Sequence, residues 1–447
     1  MSPLTYPLHY PAFSTVDEAG LKLVTAAGPE VDGDFFQGRL CSPDRDCTAL
    51  LTVARIAQTR FYTPPGMLQR ILREADPVIT SDGRGLRLEA FSPCCGVHGR
   101  LDLGPGAIDG TLAGRGTTNV DFNPPMREAL THMSFGDKTV SLSVGHSEFR
   151  ASTDGSNVVE KKVPLPNRWL RSFGESQALA SELELKAELT GVQARSFLRA
   201  VPKSVGGSDV VRLVPGAKNL RLSQRGSGGF EVGGVGRVRL LDPLARFIDR
   251  LLIFAHPNTS MTAWVAHLGG STLELLLSPT ASRAFSGEGQ LLERMLSQTG
   301  VSESVAAVRA QLTWAPSVDR PVLEEKVGVS SDSIERSLAI LSTQGVVGFS
   351  VHQQSYFRRE LPFDDASDDK HQTRLRAARE LVASGAVEIR TDSPFSAFVL
   401  GSGSNGAVEY LVRADPQWSC NCVWHLRTRG NRGPCKHILA CKIAKGE

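Results

Sequence analysis

From residue 1 to about 170, apolar and polar side chains alternate in short runs separated by turn residues. Gly85-Leu-Arg-Leu-Glu-Ala-Phe91 and Thr139-Val-Ser-Leu-Ser-Val144 read as strands, and Asp109-Gly110 and Asp154-Gly155 as the loops between strands. Helical spacing interrupts at Met67-Leu-Gln-Arg-Ile-Leu-Arg-Glu74 and at Pro125-Met-Arg-Glu-Ala-Leu130, the second with proline in its first turn. From 175 to 285 the pattern predicts a helix over Ser176 to Glu188 and glycine-rich turns between Gly226 and Gly236. Strands are then expected at Gly236 to Leu241, Leu251 to Phe254, Thr262 to Ala266 and Thr272 to Leu277.

Residues 288 to 362 change character. Helices are expected from Gln290 to Leu296, Glu303 to Leu312 and Pro321 to Val327, followed by a tight turn at Gly328. A further helix from Ser331 to Gly345 puts Ile334, Leu338 and Leu341 on one face, and an extended hairpin runs from Val346 to Leu361. Helix, turn, serine-capped helix and hairpin give the outline of a winged-helix-like module. The acidic run Asp364 to Asp369 reads as a linker. Beyond it, a helix from Lys370 to Ser384 ends at Gly385, and strands Phe395 to Leu400 and Val408 to Arg413 pair across Gly401 to Gly406. The fold class is α+β multidomain: a β-rich region over 1–170, an α+β region over 175–285, the winged-helix-like module over 288–362 and a C-terminal domain over 370–447.

A chain of 447 residues exceeds one ordinary core, in keeping with several domains. No apolar run approaches the roughly 18 residues of a membrane span, and the N-terminus lacks the basic start and apolar run of a signal peptide, so a cytoplasmic protein without membrane contact is expected. Eight cysteines are too few for a disulfide scaffold of this size, and clustered ones in a reducing compartment point to metal. The formal charge is +3, but it is unevenly spread. After residue 412, Arg413, Arg427, Arg429, Arg432, Lys436, Lys442 and Lys445 face only Asp415 and Glu447. Any polyanion-binding surface is expected there.

The same segment carries the chemistry. Trp418-Ser-Cys420-Asn-Cys422 is followed, after twelve residues, by Cys435-Lys-His437. Three thiolates and an imidazole are the ligand complement of a closed, tetrahedral, structural Zn2+ site, with Cys420, Cys422, Cys435 and His437 as ligands. One residue between Cys420 and Cys422 lets extended backbone aim both at one centre. Pro434 suits the first turn of a helix continuing through Ala444, whose N-terminus would favour the Cys435 thiolate. His425 and Cys441 are the competing ligands. These residues, with Trp418, Trp424 and Pro434-Cys-Lys-His-Ile-Leu439, resemble the SWIM zinc finger, Cys-x-Cys then Cys-x-His, over roughly residues 395 to 445. The resemblance implies a ββα finger that binds nucleic acid or protein. By layout alone the chain also looks like bacterial SWIM proteins associated with MoxR-type ATPases and von Willebrand A proteins, which implies such a partner.

Lys436 with Arg427, Arg429 and Arg432 are the candidate phosphate contacts, and Trp418 or Trp424 candidate stacking partners. In the winged-helix-like module Arg336, Arg358 and Arg359 are the candidates, although acidic and basic side chains nearly balance between 318 and 361. Cys94, Cys95 and His98, and Cys41 with Cys47, lack metal spacing and read as buried structure, and Gly114 to Asp121 as a shaped loop. Gly401-Ser-Gly-Ser-Asn-Gly406 matches Gly-x-Gly-x-x-Gly, but a strand follows where a phosphate site needs a helix. No catalytic motif is found. The expectation is therefore a non-enzymatic, zinc-containing adaptor that binds DNA, RNA or a protein partner. The alternatives are a DNA-binding transcriptional regulator and an enzyme with a site near residues 94–121.

Overall fold

The alternating segments of the first 285 residues become sheets in the computed structural model. It describes residues 15–17, 20–23, 35–62, 77–112, 114–119, 124–134, 141–144, 150–152, 167–202, 210–224, 228–281, 285, 302–361, 373–403, 406–428 and 433–446. The expected helices at Met67 and Gln290, the loop at Asp154, the linker at Asp364 to Asp369, and Arg429 and Arg432 lie outside these. The chain divides into two compact units. The first holds residues 1–286, 312–318 and 345–362; the second holds 287–311, 319–344 and 363–447.

Nineteen strands of the first unit can be given in chain order. They are β1 (Thr15–Asp17), β2 (Gly20–Leu23), β3 (Phe36–Leu40), β4 (Val78–Ser81), β5 (Leu86–Phe91), β6 (Val97–Leu103), β7 (Ile108–Thr111), β8 (Gly116–Asn119), β9 (Ser141–Val144) and β10 (Arg150–Ser152). Then come β11 (Glu184–Thr190), β12 (Val210–Pro215), β13 (Leu220–Ser223), β14 (Phe230–Gly233), β15 (Arg250–Ala255), β16 (Thr262–His267), β17 (Ser271–Leu277), β18 (Val347–Ser350) and β19 (Ser355–Arg358). The largest sheet is antiparallel, in the order β11-β15-β16-β17-β6-β5-β4-β8; a second runs β1-β10-β2-β9-β3-β7, and β13-β12-β14 and β18-β19 form smaller ones. Helix Pro43–Gln58 turns Cys47, Leu50, Val53 and Ala57 inward.

Three expectations for this unit need correction. The helix placed at Ser176 to Glu188 instead spans Asn167–Ala180, and β11 follows it. Leu185, Ala187 and Leu189 alternate with Glu184, Lys186 and Glu188, the period of a strand. The strand expected at Gly236 to Leu241 is a 3-10 helix, Val235–Leu244. Its fully buried residues Val235, Val238, Leu241 and Leu244 recur every third position, the period of that helix. Asp109-Gly110 lies within β7 rather than in a loop.

Hairpin β18–β19, distant in sequence, is fastened to the large sheet by buried charge. Arg359, 0% exposed, gives both Glu89 oxygens a hydrogen bond from Nη1, at 2.7 and 2.9 Å. Arg100 donates to Glu274 at 2.7 Å, Asp102 at 2.9 Å, Ser350 Oγ at 2.7 Å and the Phe349 carbonyl at 3.0 Å. Glu274 accepts from the His352 backbone N–H and Nδ1, both at 2.9 Å, and from the Val351 N–H. The Gln177 side-chain oxygen accepts from the Phe349 N–H. The ring of Phe357 lies beneath the guanidinium groups of Arg87, Arg100 and Arg359 at 4.3, 5.2 and 5.9 Å. Gly348 makes room for it, since a Cβ there would sit 2.3 Å from Phe357 Cζ. Burial alone would raise the Glu89 carboxyl, but Arg359 and His98 hold it down to about 2. Arg100 and His352 do the same for buried Glu274, also to about 2.

In the second unit, helices Ser302–Gln311, Arg320–Val327 and Ser331–Thr343 follow in sequence, with Asp319 capping the second and Gly328 ending it in the left-handed region at φ 72°. Ile334, Leu338 and Leu341 are buried, as their spacing predicts. The hairpin β18–β19 expected to complete a module with these helices belongs to the first unit. Helix Thr373–Ala383 precedes a four-stranded antiparallel sheet: β20 (Val387–Asp392), β21 (Phe395–Gly403), β22 (Gly406–Ala414) and β23 (Trp418–Cys420). Helices Val423–Thr428 and Lys436–Lys445 close the chain.

Candidate metal centre

The expected hairpin forms in register, Phe395 opposite Ala414 and Gly403 opposite Gly406. Alternation sends Phe395, Ala397 and Val399 of β21 to one face, where they meet Val412, Ile438 and Cys441 in a small core. Cys420, Cys422 and Cys435 belong to this core. β23 pairs with β22 through Cys420 opposite Val412, which ends the strand with its sulfur inward. Cys435 is the N-cap of the last helix, in extended backbone, with Pro434 just ahead of it rather than inside the first turn.

Each sulfur accepts a backbone N–H. Cys422 donates to Cys420 Sγ at 3.4 Å, His425 to Cys422 Sγ at 3.4 Å and Ile438 to Cys435 Sγ at 3.5 Å. Hydrogen bonds to the charged form favour it, so the backbone here is arranged for thiolates. His437 lies one residue into the helix, 4% exposed, with Nδ1 at 3.7 Å from Cys420 Sγ. The four ligand atoms lie within 4.8 Å of one another. Metal–sulfur bonds of about 2.3 Å in a tetrahedron put neighbouring ligand atoms about 3.7 Å apart, so the cluster has the size of such a site.

Electrostatics supports the same occupant. Hydrogen bonds from Cys420 and Cys435 pull the Cys422 thiol far below its ordinary range, while the hydrogen bond to Cys422 drives Cys420 far above. Three thiolates at this spacing would repel one another strongly, and a cation among them would offset that repulsion. The donor set therefore fits one metal ion and is compatible with zinc. With four protein ligands the site is closed and has no position for a substrate.

Of the competing ligands, Cys441 stays in the core outside the cluster, its thiol pushed up to about 12 by burial. His425 contributes its backbone N–H to Cys422, and its buried Nδ1 has no hydrogen-bond partner among the described residues. Trp418 packs on Phe395 with Lys442 over its ring at 5.4 Å, and Trp424 lies under Arg374 at 4.7 Å. Both indoles thus have occupied faces. Arg427 is exposed at the end of helix Val423–Thr428, and Lys436 is half-buried at the start of the last helix.

The remaining candidates are placed by the first unit and the helices. Arg336 is exposed, with its Nε on the Asp332 carbonyl. Arg358 is engaged by Glu360, the Leu312 carbonyl and the Trp314 ring. Arg359, buried against Glu89, has no face left for a phosphate. Cys94 contacts Ser92 Oγ at 3.5 Å, and His98 is buried 3.3 Å from Glu89. Cys47 is buried, which raises its thiol, and Cys41 is exposed. Gly116 to Asn119 form β8, paired with β4. Asp102, Glu274 and His352 also bring three ligand-type atoms within 4.8 Å, but Arg100 donates to both carboxylates and supplies the positive charge. Tyr410, absent from the sequence-derived candidates, stacks on His437; only its alternation with Val412 on the inward face of β22 signals it.

No described helix is long and apolar enough to cross a membrane. No protein-family model and no curated protein matches the chain. Among solved structures, the proliferating cellular nuclear antigen of Entamoeba histolytica is similar over 55% of this chain and 98% of its own, at 9% identity and a TM-score of 0.32. A PCNA2–PCNA3 complex from Sulfolobus tokodaii is similar over 55% and 100%, at 12% identity and 0.32. A Helicobacter pylori beta clamp bound to a DNA ligase peptide is similar over 56% and 66%, at 13% identity and 0.31. These likenesses are slight, and nothing about the metal centre follows from them.

Proposed function

We propose that residues 370–447 form a SWIM-type structural zinc finger, and that the chain is a non-catalytic adaptor that uses this finger to bind nucleic acid or a protein partner. The observation that carries this reading is the buried Cys420, Cys422, Cys435 and His437 cluster with an N–H donor on every sulfur. The metal supplies a cross-link between β23 and the last helix, so its binding free energy adds to the stability of the domain. Basic residues near it in sequence, Arg427, Arg429, Arg432 and Lys436, favour a polyanion as the first partner to test. Because both nearby tryptophans are engaged within the finger, binding through phosphates rather than base stacking is expected, with strong salt dependence and little sequence preference.

The test has two arms. Metal analysis of the purified chain returns one zinc per molecule, and Cys420→Ser with Cys435→Ser removes it; full zinc in that double variant overturns the ligand set. Titration with a fluorescent single-stranded and a duplex oligonucleotide at low salt then reads binding. Changing Arg427, Arg429 and Arg432 to alanine lowers the salt slope by about one unit per lost phosphate contact. A zinc-loaded protein that binds neither oligonucleotide leaves the protein-partner form of the reading.

A further inference from the structure

A metal-bound imidazole is ordinarily aimed by its second nitrogen, which donates to a carboxylate, carbonyl or water. In this centre Nδ1 of His437 is the atom beside the sulfurs, and Nε2 is buried with no hydrogen-bond partner among the described residues. The ring is nevertheless fixed. Tyr410 lies flat on it, with 4.0 Å between centroids and 17° between planes. Such stacking restricts both rotation and tilt of the imidazole.

The hairpin is shaped for that contact. Tyr410 faces Val399 across the strands and Val408 faces Gly401, so alternation puts Gly401 diagonal to Tyr410 on the face that carries the ring pair. A Cβ at Gly401 would lie 2.9 Å from Tyr410 Cε2 and 3.3 Å from His437 Nε2. Any side chain there would displace the two rings. The absence of one lets Tyr410 lie across the strand and reach the helix.

We propose that Tyr410, seated over Gly401, is the positioning residue of the metal centre, its ring holding His437 with Nδ1 toward the metal in place of a hydrogen-bonded partner on Nε2. The inference rests on the metal-site reading above. It assigns the tyrosine ring, not its hydroxyl, to the task.

The experiment uses the full chain, Zn2+ affinity by competition with a chromophoric chelator, and the visible spectrum of the Co2+ form. Tyr410→Phe keeps wild-type affinity and spectrum. Tyr410→Leu and Gly401→Val lose about 10- to 100-fold in affinity, the range typical of lost supporting contacts around a metal, and shift the Co2+ bands as the nitrogen ligand is lost. In a His437→Cys background, which keeps four ligands without an imidazole to aim, Tyr410→Leu has no further effect. Equal loss in both backgrounds would mean that Tyr410 only packs the core, and unchanged affinity and spectrum in Tyr410→Leu would also overturn the inference while leaving the metal site standing. Wild-type protein that takes up no Co2+ overturns the metal reading, and the inference with it.

Discussion

Replacing Glu89 with glutamine tests whether the buried charges of the first unit act as one network. The substitution preserves shape and removes the charge that faces Arg359 and His98, both fully buried. Glu89 is held at about 2 against an ordinary 4.5, which corresponds to about 3 kcal/mol of preferential stabilisation of the ionised form. Breaking a buried pair from one side costs about 3 to 5 kcal/mol in general, so about 3 kcal/mol is the expected loss. Arg359→Met should cost a similar amount, because it strands Glu89. The double variant Glu89→Gln/Arg359→Met should lose much less than the sum, since no uncompensated charge remains. Urea unfolding gives the totals, and peptide-level hydrogen exchange over residues 86–91 and 345–361 shows whether the loss falls on the sheet and hairpin. A loss below about 1 kcal/mol for Glu89→Gln, or additive single losses, would refute the network argument.

Two further outcomes follow from the same region. Glu89 and Glu274 have depressed folded-state values, so their stabilisation is fully present above about 4.5 and disappears as pH falls toward about 2. The urea midpoint should therefore fall steeply over that window, and less steeply in Glu89→Gln; a flat profile contradicts the assignment. Gly348→Ala should cost about 1 to 3 kcal/mol by forcing the Phe357 ring off its seat under the three arginines, read as a lowered melting temperature.

The buried cluster of ligand-type residues was legible because ligation requires particular atoms at short, repeated spacings, and Cys420, Cys422, Cys435 and His437 show that pattern without any knowledge of tertiary contacts. The hairpin that precedes them was equally plain, since Gly401 to Gly406 separates two alternating strands. Tyr410 was not legible, because stacking on His437 depends on strand register and on how the last helix lies over β22. Arg359 illustrates the opposite error. A basic residue on an exposed-looking hairpin reads as a phosphate contact, whereas its partner Glu89 is 270 positions away and no local pattern links them. The 3-10 helix at Val235–Leu244 was misjudged for a simpler reason, a period of three taken for a period of two.

The separation of Glu89 from Arg359 also bears on how the protein is made. At about 5 to 20 residues per second of synthesis, β5 leaves the ribosome roughly 15 to 50 seconds before the arginine that neutralises it. Through that interval Glu89 must stay hydrated or take a proton, and the large sheet lacks the hairpin's buried contacts. Helices Ser302–Gln311, Arg320–Val327 and Ser331–Thr343 of the second unit are all synthesised before the first unit receives its last hairpin. The first unit is therefore completed only after these helices have been made, and a nascent chain stalled before residue 345 carries all eight strands of the large sheet with Glu89 still lacking Arg359.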